Sequence, residues 1–263
     1  MRHVTLSGRT MAYADRGDRP PLLLVHGFPL DHSLWEPQLS VLSATRRVVA
    51  PDLAGFGATD GPGHESLDGH ADDLAALLDH LGIARAVVNG LSMGGYVAFA
   101  FWRRHPERVA ALVLTCTRAA ADSEAARAGR YQSIVSIESD GVGPLADAMV
   151  PKLVTPAAPA DVRASVDAMV RRQPSRGVAD ALRAMAARPD STPNLAGIRV
   201  PTLVVAGAED VIVPAAEAAT MAAAIPGAQL VTIPGAGHLA NLEEPGAYNA
   251  ALRAFLERVD ATM

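Results

Sequence analysis

The chain has 263 residues, a formal net charge of −5 at pH 7, 49% hydrophobic residues and a single cysteine, Cys116. This length accommodates one large α/β domain, or a core with an inserted subdomain, and either can bury a substantial core. The negative charge and the lack of basic clusters argue against nucleic acid or an anionic membrane surface as the main partner. One cysteine excludes an internal disulfide and a cysteine-built zinc site.

The apolar segments are too short for membrane insertion. No run approaches the length of a membrane span, and residues 1–7 contain no signal-peptide core. We therefore expect a cytoplasmic protein without a membrane partner. Cys116 ends an apolar run and is predicted to be a buried structural thiol.

The first strands predict an antiparallel edge followed by a buried strand. Residues 4–7 and 10–14 read as two short strands joined at a turn, and residues 21–26 form a continuous apolar strand that leads into Gly27 and Phe28. In a doubly wound sheet, the loops at the carboxyl ends of the strands form the site. We therefore expect the Phe28 N–H to be an oxyanion donor, the alternative being that this loop is only a tight strand exit.

Two polar residues near these loops are predicted to be structural. His26 ends its strand in a position poorly suited to reach a nucleophile on another loop. Asp52 follows a short strand and opens a glycine-rich turn, which lacks the Gly-Lys-Ser/Thr ending of a phosphate-binding loop. Helices are expected at residues 31–42, with Asp31 or Ser33 as the cap, and at residues 66–81.

A nucleophile-elbow pattern occurs at Gly90-Leu91-Ser92-Met93-Gly94, between an apolar strand and a helical pattern. A serine held on a sharp strand-to-helix turn is exposed, and the small residues flanking it allow the chains to approach closely. The pattern predicts Ser92 as a nucleophile and the Met93 N–H as an oxyanion donor. The alternative is that Ser92 is only a tight-turn residue.

After a strand at residues 109–115 the chain becomes rich in Ala, Arg, Asp and Pro and lacks strand-like runs up to about residue 194. We expect a helical cap over the carboxyl edge of the sheet, because its apolar faces must be buried somewhere. Met149, Met169 and Met185 are predicted to bind substrate, although for each one a place in the core of the cap is the more common role. Helices are expected at residues 120–137, 144–152, 159–172 and 177–187.

Strand patterns return at residues 200–206 and 229–233, and each leads into a loop with a candidate catalytic group. Asp210 follows the first of these strands, and Glu209 beside it is a possible substitute. His238 follows the second strand and is flanked by Gly237, which gives its backbone freedom to reach across the sheet. Ser92, Asp210 and His238 therefore form a candidate catalytic triad. A helix at residues 242–259 is expected to end the chain.

With these motifs the chain resembles the α/β-hydrolase superfamily from end to end. The matching segments are His26-Gly27-Phe28-Pro29, the turn at residues 51–57, the elbow around Ser92, the loop at residues 207–210 and Gly235-Ala236-Gly237-His238. The resemblance implies an eight-stranded, mostly parallel sheet with helices on both faces and a helical cap inserted after the sixth strand. It also implies a hydrolase core at residues 1–117 and 196–263 and a cap at residues 118–195.

The resemblance implies a serine hydrolase that cleaves a small ester or lactone through an acyl-enzyme, without a metal or organic cofactor. Its motifs are similar to the branch that contains 3-oxoadipate enol-lactonases, small carboxylesterases and cofactor-free perhydrolases. A lyase or perhydrolase using the same residues, and a ligand receptor on a hydrolase scaffold, are the alternatives. An enol-lactonase would need cationic cap residues for the substrate carboxylate, for which the candidates are Arg130, Arg171, Arg172 and Arg183.

Overall fold

Within the described residues, 1–6, 8–18 and 20–261, eight strands form one central sheet in the computed structural model. They are β1 (Arg2–Leu6), β2 (Arg9–Arg16), β3 (Pro21–Val25), β4 (Arg47–Pro51), β5 (Ala86–Leu91), β6 (Val109–Thr115), β7 (Thr202–Gly207) and β8 (Gln229–Ile233). The strand order is β1-β2-β4-β3-β5-β6-β7-β8. β2 pairs antiparallel with β1 and β4, and the other neighbours are parallel.

Helices cover both faces of this sheet. They are α1 (Glu36–Leu42), α2 (Leu67–His80), α3 (Met93–Arg104), α4 (Glu124–Asp140), α5 (Gly143–Leu153), α6 (Ala160–Arg171), α7 (Ser175–Ala186), α8 (Ala215–Ala224), α9 (Ala240–Glu243) and α10 (Pro245–Asp260). Strand residues alternate between two apolar clusters, one shared with α2, α3 and α8 and the other with α1 and α10. The predicted α/β-hydrolase fold, with its mostly parallel sheet between helices, is confirmed.

Several predicted element boundaries differ from the structure. The expected first strand at residues 4–7 includes Ser7, which lies outside the described residues. The helix expected from residue 31 begins as a short 3₁₀ helix at His32–Trp35, capped by the Asp31 side chain. The single closing helix expected at residues 242–259 is wrong, because it is two helices that break at Glu244. Pro245 causes this break, since proline disfavours helical dihedrals in the residue before it, and Glu244 has φ −127° and ψ 61°.

The helices α4 to α7, here called the inserted helices, lie between β6 and β7 in the chain. Residues at the ends of these helices and between them hydrogen-bond to loops that follow β3, β4 and β8. Arg172 Nε donates to Asp31 Oδ2 (2.8 Å), Gly57 N–H donates to Gln173 Oε1 (2.9 Å), and Leu239 N–H donates to the Leu153 carbonyl (3.1 Å). The loops after parallel strands meet at the carboxyl edge of the sheet. The inserted helices therefore pack against that edge.

None of the helices in the described residues combines the length and the hydropathy that a bilayer-spanning segment requires.

One close contact of the inserted helices with the core is between two glycines. A Cβ atom added to Gly177 in α7 would lie 1.8 Å from the carbonyl oxygen of Gly55, in the loop after β4. Backbone cannot move aside as a flexible side chain can, so any larger residue would push α7 away from the loop. This contact sets how closely α7 packs on the core.

We predict that Gly177→Ala destabilises the fold by about 2 kcal/mol or more through this overpacking. The matched control is Gly129→Ala, because Gly129 is an exposed glycine of α4 with no atom within 4 Å of its added Cβ. Alanine there should stabilise the protein by up to about 1 kcal/mol, from helix propensity. Urea denaturation of both variants measures the difference, and equal stabilities would contradict this account of the contact.

Candidate active site

Ser92 lies at a strained turn between β5 and α3, with φ 55° and ψ −114°. Positive φ is costly for a residue other than glycine, so the surrounding packing must impose it. A Cβ on Gly90 would lie 2.1 Å from the Gly94 carbonyl oxygen, and a Cβ on Gly94 would lie 2.2 Å from that of Val25. The Ser92 hydroxyl does not cap α3, and the residue is partly exposed.

Ser92, Asp210 and His238 follow strands at the same edge of the sheet. Ser92 comes after β5, Asp210 after β7 and His238 after β8, and all three strands run parallel. Backbone hydrogen bonds extend the sheet into these loops, from Ser92 N–H to Thr115 O (2.9 Å), Cys116 N–H to Val205 O (2.8 Å) and Glu209 N–H to Ala236 O (2.9 Å).

Asp210 and His238 are joined directly. His238 Nδ1 lies 2.8 Å from Asp210 Oδ2, and both side chains are buried. Asp210 Oδ1 accepts hydrogen bonds from the N–H groups of Ile212 (2.8 Å) and Val213 (2.9 Å), which fix the carboxylate. A carboxylate at Nδ1 favours the tautomer that carries the proton there and leaves the Nε2 lone pair free. Glu209, the possible substitute, is exposed.

The other ring nitrogen of His238 is buried and unpaired. Among the described residues, His238 Nε2 has no hydrogen-bond partner, so no bond to Ser92 is formed in this structure. Buried nitrogen atoms rarely stay unpaired, and each such case calls for an explanation. A role in proton transfer would explain this unpaired atom, because catalytic hydrogen bonds are often long in enzymes without substrate and tighten only when substrate binds.

The loop after β3 lies beside Ser92. A Cβ on Gly27 would be 3.3 Å from the Ser92 Cβ. The turn that follows uses the Leu30 N–H, which donates to the Gly27 carbonyl (3.0 Å), and does not use the N–H of Phe28. Met93 is the first residue of α3, where an N–H has no acceptor within the helix.

Three buried polar side chains form a closed hydrogen-bond ring behind the elbow. Asn89 Nδ2 donates to Tyr248 Oη (2.8 Å), Thr115 Oγ1 donates to Asn89 Oδ1 (3.0 Å), and the two hydroxyls are 2.9 Å apart. Burial raises the pKa of Tyr248, so its hydroxyl stays protonated and can donate to Thr115. The ring links β5, β6 and α10. No sequence pattern predicted this ring, because its three residues are far apart in the chain.

His26 and Asp52 brace the loops, as expected from the sequence. His26 Nδ1 lies 2.9 Å from the Gly27 carbonyl, and Nε2 accepts from Leu53 N–H (3.0 Å). Burial lowers the pKa of His26, which keeps it neutral. Asp52 Oδ1 accepts a hydrogen bond from the backbone N–H of His32 (2.8 Å) and also lies 2.7 Å from His32 Nδ1. Both side chains are therefore committed to holding loops.

An ion pair between an exposed arginine and a buried aspartate connects the end of α6 to the core. Arg172 donates to both oxygens of Asp31 at 2.8 Å, and Gln173 Nε2 donates to Asp31 Oδ2 (2.9 Å). Burial alone would raise the pKa of Asp31, but the hydrogen bonds from Arg172, Ser33 and Gln173 outweigh it and hold that pKa well below its usual range. The carboxylate therefore stays charged and bound.

The same region contains a group that could hold a metal ion. Ligand atoms of Asp31, His32 and Asp52 lie within 4.8 Å of one another. However, Arg172 forms an ion pair with Asp31, and His32 Nδ1 lies within hydrogen-bond distance of the Asp52 carboxylate. The group is thus held together by protein donors, and no metal is needed to explain its geometry.

The three methionines predicted to bind substrate occupy different surroundings. Met185 lies in the apolar cluster that also contains Phe28 and Met93. Met169 lies in the other cluster, and the half-buried Met149 packs against both. Contact of these methionines with substrate stays a prediction.

The four arginines considered for a substrate carboxylate are all ion-paired. Their side chains bind acidic residues of the protein. The pairs are Arg130 with Asp122, Arg171 with Asp147 and Asp167, Arg172 with Asp31, and Arg183 with Glu138 and Asp180.

Comparison with known proteins adds a family match. Residues 20–245 match the family model described as the alpha/beta hydrolase fold. The 3-oxoadipate enol-lactonase 2 of Acinetobacter baylyi is 30% identical over 262 residues, covering 97% of this chain and 96% of that protein.

Two solved structures are similar over nearly their whole length. A thermophilic esterase from Thermogutta terrifontis, with malate bound, has a TM-score of 0.95 and 41% identity and covers 98% of this chain and 99% of its own. The enol-lactonase from Burkholderia xenovorans LB400 has a TM-score of 0.89 and 30% identity, covering 97% and 100%.

We predict that Tyr248→Phe destabilises the protein by about 1–3 kcal/mol, because Asn89 and Thr115 then lose a buried partner. Tyr131→Phe is the matched control, since Tyr131 is an exposed tyrosine of α4, and it should change stability by less than about 0.5 kcal/mol. Urea denaturation followed by circular dichroism gives both values. A Tyr248→Phe protein as stable as the control would show that the ring contributes nothing.

Proposed function

The chain belongs to the α/β-hydrolase family, and on that premise we propose that it is a serine hydrolase that cleaves small, uncharged carboxylic esters. Ser92 is the nucleophile, His238 the general base and Asp210 the acid that orients His238. The observation that carries the proposal is the bond of 2.8 Å from Asp210 to His238 Nδ1, which leaves Nε2 unpaired at the edge of the sheet where Ser92 stands. The cytoplasmic location expected from the sequence stays a prediction.

The reaction begins with attack of Ser92 Oγ on the ester carbonyl carbon. His238 Nε2 takes the hydroxyl proton, and the negative charge of Asp210 stabilises the imidazolium that forms. The tetrahedral intermediate collapses when His238 returns this proton to the leaving alcohol. The acyl group then remains on Ser92 as an ester.

The second half of the reaction uses water in place of Ser92. His238 Nε2 takes a proton from the water, which attacks the acyl carbon, and Ser92 leaves with that proton as the acid is released. In both halves the N–H groups of Phe28 and Met93 stabilise the oxyanion. Their position beside Ser92 supports this role, because fixed donors need no reorganisation as charge develops.

We also propose that residues 118–195 act as a cap over Ser92, with residues 1–117 and 196–263 as the core. The contacts of the inserted helices with loops at the carboxyl edge of the sheet support this division. Met149, Met169 and Met185 are then the candidates for the apolar surface that receives the acyl chain.

Lactone hydrolysis is the second candidate. The similarity to enol-lactonases favours it, and the same triad can open a cyclic ester. However, Arg130, Arg171, Arg172 and Arg183 are all engaged by protein carboxylates. To bind any of these four, a substrate carboxylate would have to displace a protein carboxylate, which gives no net gain in ion pairs. We therefore favour an uncharged substrate.

We predict that Ser92→Ala lowers kcat for p-nitrophenyl esters by about 10⁴–10⁶ and abolishes labelling by a fluorophosphonate probe. The control is Ser139→Ala, which removes an exposed hydroxyl from α4 and should retain wild-type turnover and labelling. Ester assays and mass spectrometry of the labelled protein measure both. Wild-type turnover in a folded Ser92→Ala protein would refute the proposal.

The charge preference gives a second prediction. Methyl hexanoate and monomethyl adipate share an acyl-chain length but differ by a terminal carboxylate. We expect kcat/KM to be at least about 10-fold higher for the uncharged ester, because the carboxylate meets no free partner among the four arginines. Titration of released acid at constant pH measures both rates.

Preference for monomethyl adipate would contradict an uncharged substrate and favour the lactonase reading. Arg118 and Arg163 would then be the candidate partners of the substrate carboxylate, because within the described part of the chain they donate only to backbone carbonyls.

A further inference from the structure

Glu243 is a buried carboxylate close to the candidate base in the fold. It is the last residue of α9, and its two oxygens accept hydrogen bonds from two separate segments. Gly237 N–H, immediately before His238, donates to Oε1 (2.9 Å), and Thr155 N–H, just after α5, donates to Oε2 (2.6 Å). Hydrogen bonds to an ionised carboxylate are among the strong ones in proteins.

The backbone is held on both sides of His238. On the far side, Leu239 N–H donates to the Leu153 carbonyl (3.1 Å), at the end of α5. Residues 237 and 239 are therefore both tied, one to Glu243 and the other to an inserted helix. Since Glu243 also binds Thr155, the position of the α5 end and the position of the His238 loop depend on each other.

Glu243 also contributes charge to this region. Burial raises the pKa of the Cys116 thiol, and the negative charges of Asp210 and Glu243 add to that increase. Cys116 Sγ lies 4.0 Å from the Gly237 carbonyl oxygen, next to His238 in the chain. The other acidic groups near the loop, Glu209 and Glu244, are exposed, so that solvent screens them.

We propose that Glu243 is a positioning residue for His238: it fixes the loop through Gly237, ties it to the inserted helices through Thr155, and its charge supports the imidazolium together with Asp210. This inference rests on the proposed function of His238 as the base. It assigns the reaction a second buried carboxylate, one whose hydrogen bonds go to backbone N–H groups and not to the ring.

Glutamine is the informative replacement. Glu243→Gln keeps the shape of the side chain but removes its charge and one of its two acceptors, because an amide NH₂ cannot accept from a backbone N–H. Either Gly237 or Thr155 then loses its partner. Glu243→Asp keeps the charge but is one methylene shorter, so its oxygens are drawn back from the two N–H groups. Glu244→Gln removes the same charge at the exposed neighbouring residue and is the matched control.

The experiment measures ester kcat and KM, and the rate of fluorophosphonate inactivation, from acid to neutral pH in each variant. The base works only when it is neutral, so both rates rise as the pH increases from acid values. Removing a nearby negative charge makes the protonated base less stable, so this rise, the acid limb of the profile, begins at lower pH. We expect Glu243→Gln to shift the acid limb to lower pH by about half a pH unit or more and to reduce kcat about 10-fold with little change in KM.

Glu243→Asp should reduce kcat while leaving the acid limb where the wild type has it, and Glu244→Gln should change neither. A Glu243→Gln profile that matches the Glu244→Gln profile overturns the inference. If Glu243→Gln does not fold, Glu243→Asp decides alone, and unchanged kcat in that variant overturns the inference too. Inactivation that persists in Ser92→Ala would instead overturn the proposed function, so the two failures are distinct.

Discussion

The strained backbone at Ser92 is the constraint on which the rest of the site depends. A φ of 55° at a serine costs about 1–3 kcal/mol and persists only where the surroundings impose it. The contacts that impose this φ value are close. Gly90 and Gly94 leave no room for a side chain, and the Ser92 carbonyl accepts a hydrogen bond from Thr117 Oγ1 (2.8 Å). Rigid packing around the turn thus keeps the Ser92 hydroxyl away from the backbone of its own helix.

The same logic explains the polar groups buried behind the elbow. Asn89, Thr115 and Tyr248 would each be costly in an apolar core, yet in a closed ring every one of them donates and accepts. The ring joins two neighbouring strands to the last long helix, so the strand that supports Ser92 cannot slide relative to its neighbour without breaking buried hydrogen bonds. The hydrogen-bond ring therefore contributes both to the stability of the fold and to the position of the strand that supports Ser92.

Much of the fold was predictable because its signals are local. Apolar runs predicted the strands, and the Gly90 to Gly94 spacing predicted the turn at Ser92. The remaining contacts are not local: Asn89 and Tyr248 are 159 residues apart, Asp31 and Arg172 are 141 apart, and Thr155 and Glu243 are 88 apart. No periodicity connects such residues, since each pair meets only after the sheet has brought their segments together. The break at Glu244 is different, because Pro245 signalled it locally and the apolar pattern of the closing helix concealed it.

The long-range contacts also bear on how substrate binding could reach the chemistry. Binding energy from parts of a substrate remote from the ester can favour the transition state only if it changes the position of reacting groups. Here the inserted helices have two attachments to the core. Arg172 binds Asp31, and the end of α5 is held at the His238 loop, where Thr155 N–H donates to Glu243 and the Leu153 carbonyl accepts from Leu239 N–H. The first attachment is made at the loop after β3, and the second is made at residues on both sides of His238, the proposed base. The end of α5 is therefore the part of the inserted helices whose position is tied to the residues beside His238, and it offers a route from substrate binding to the proposed base.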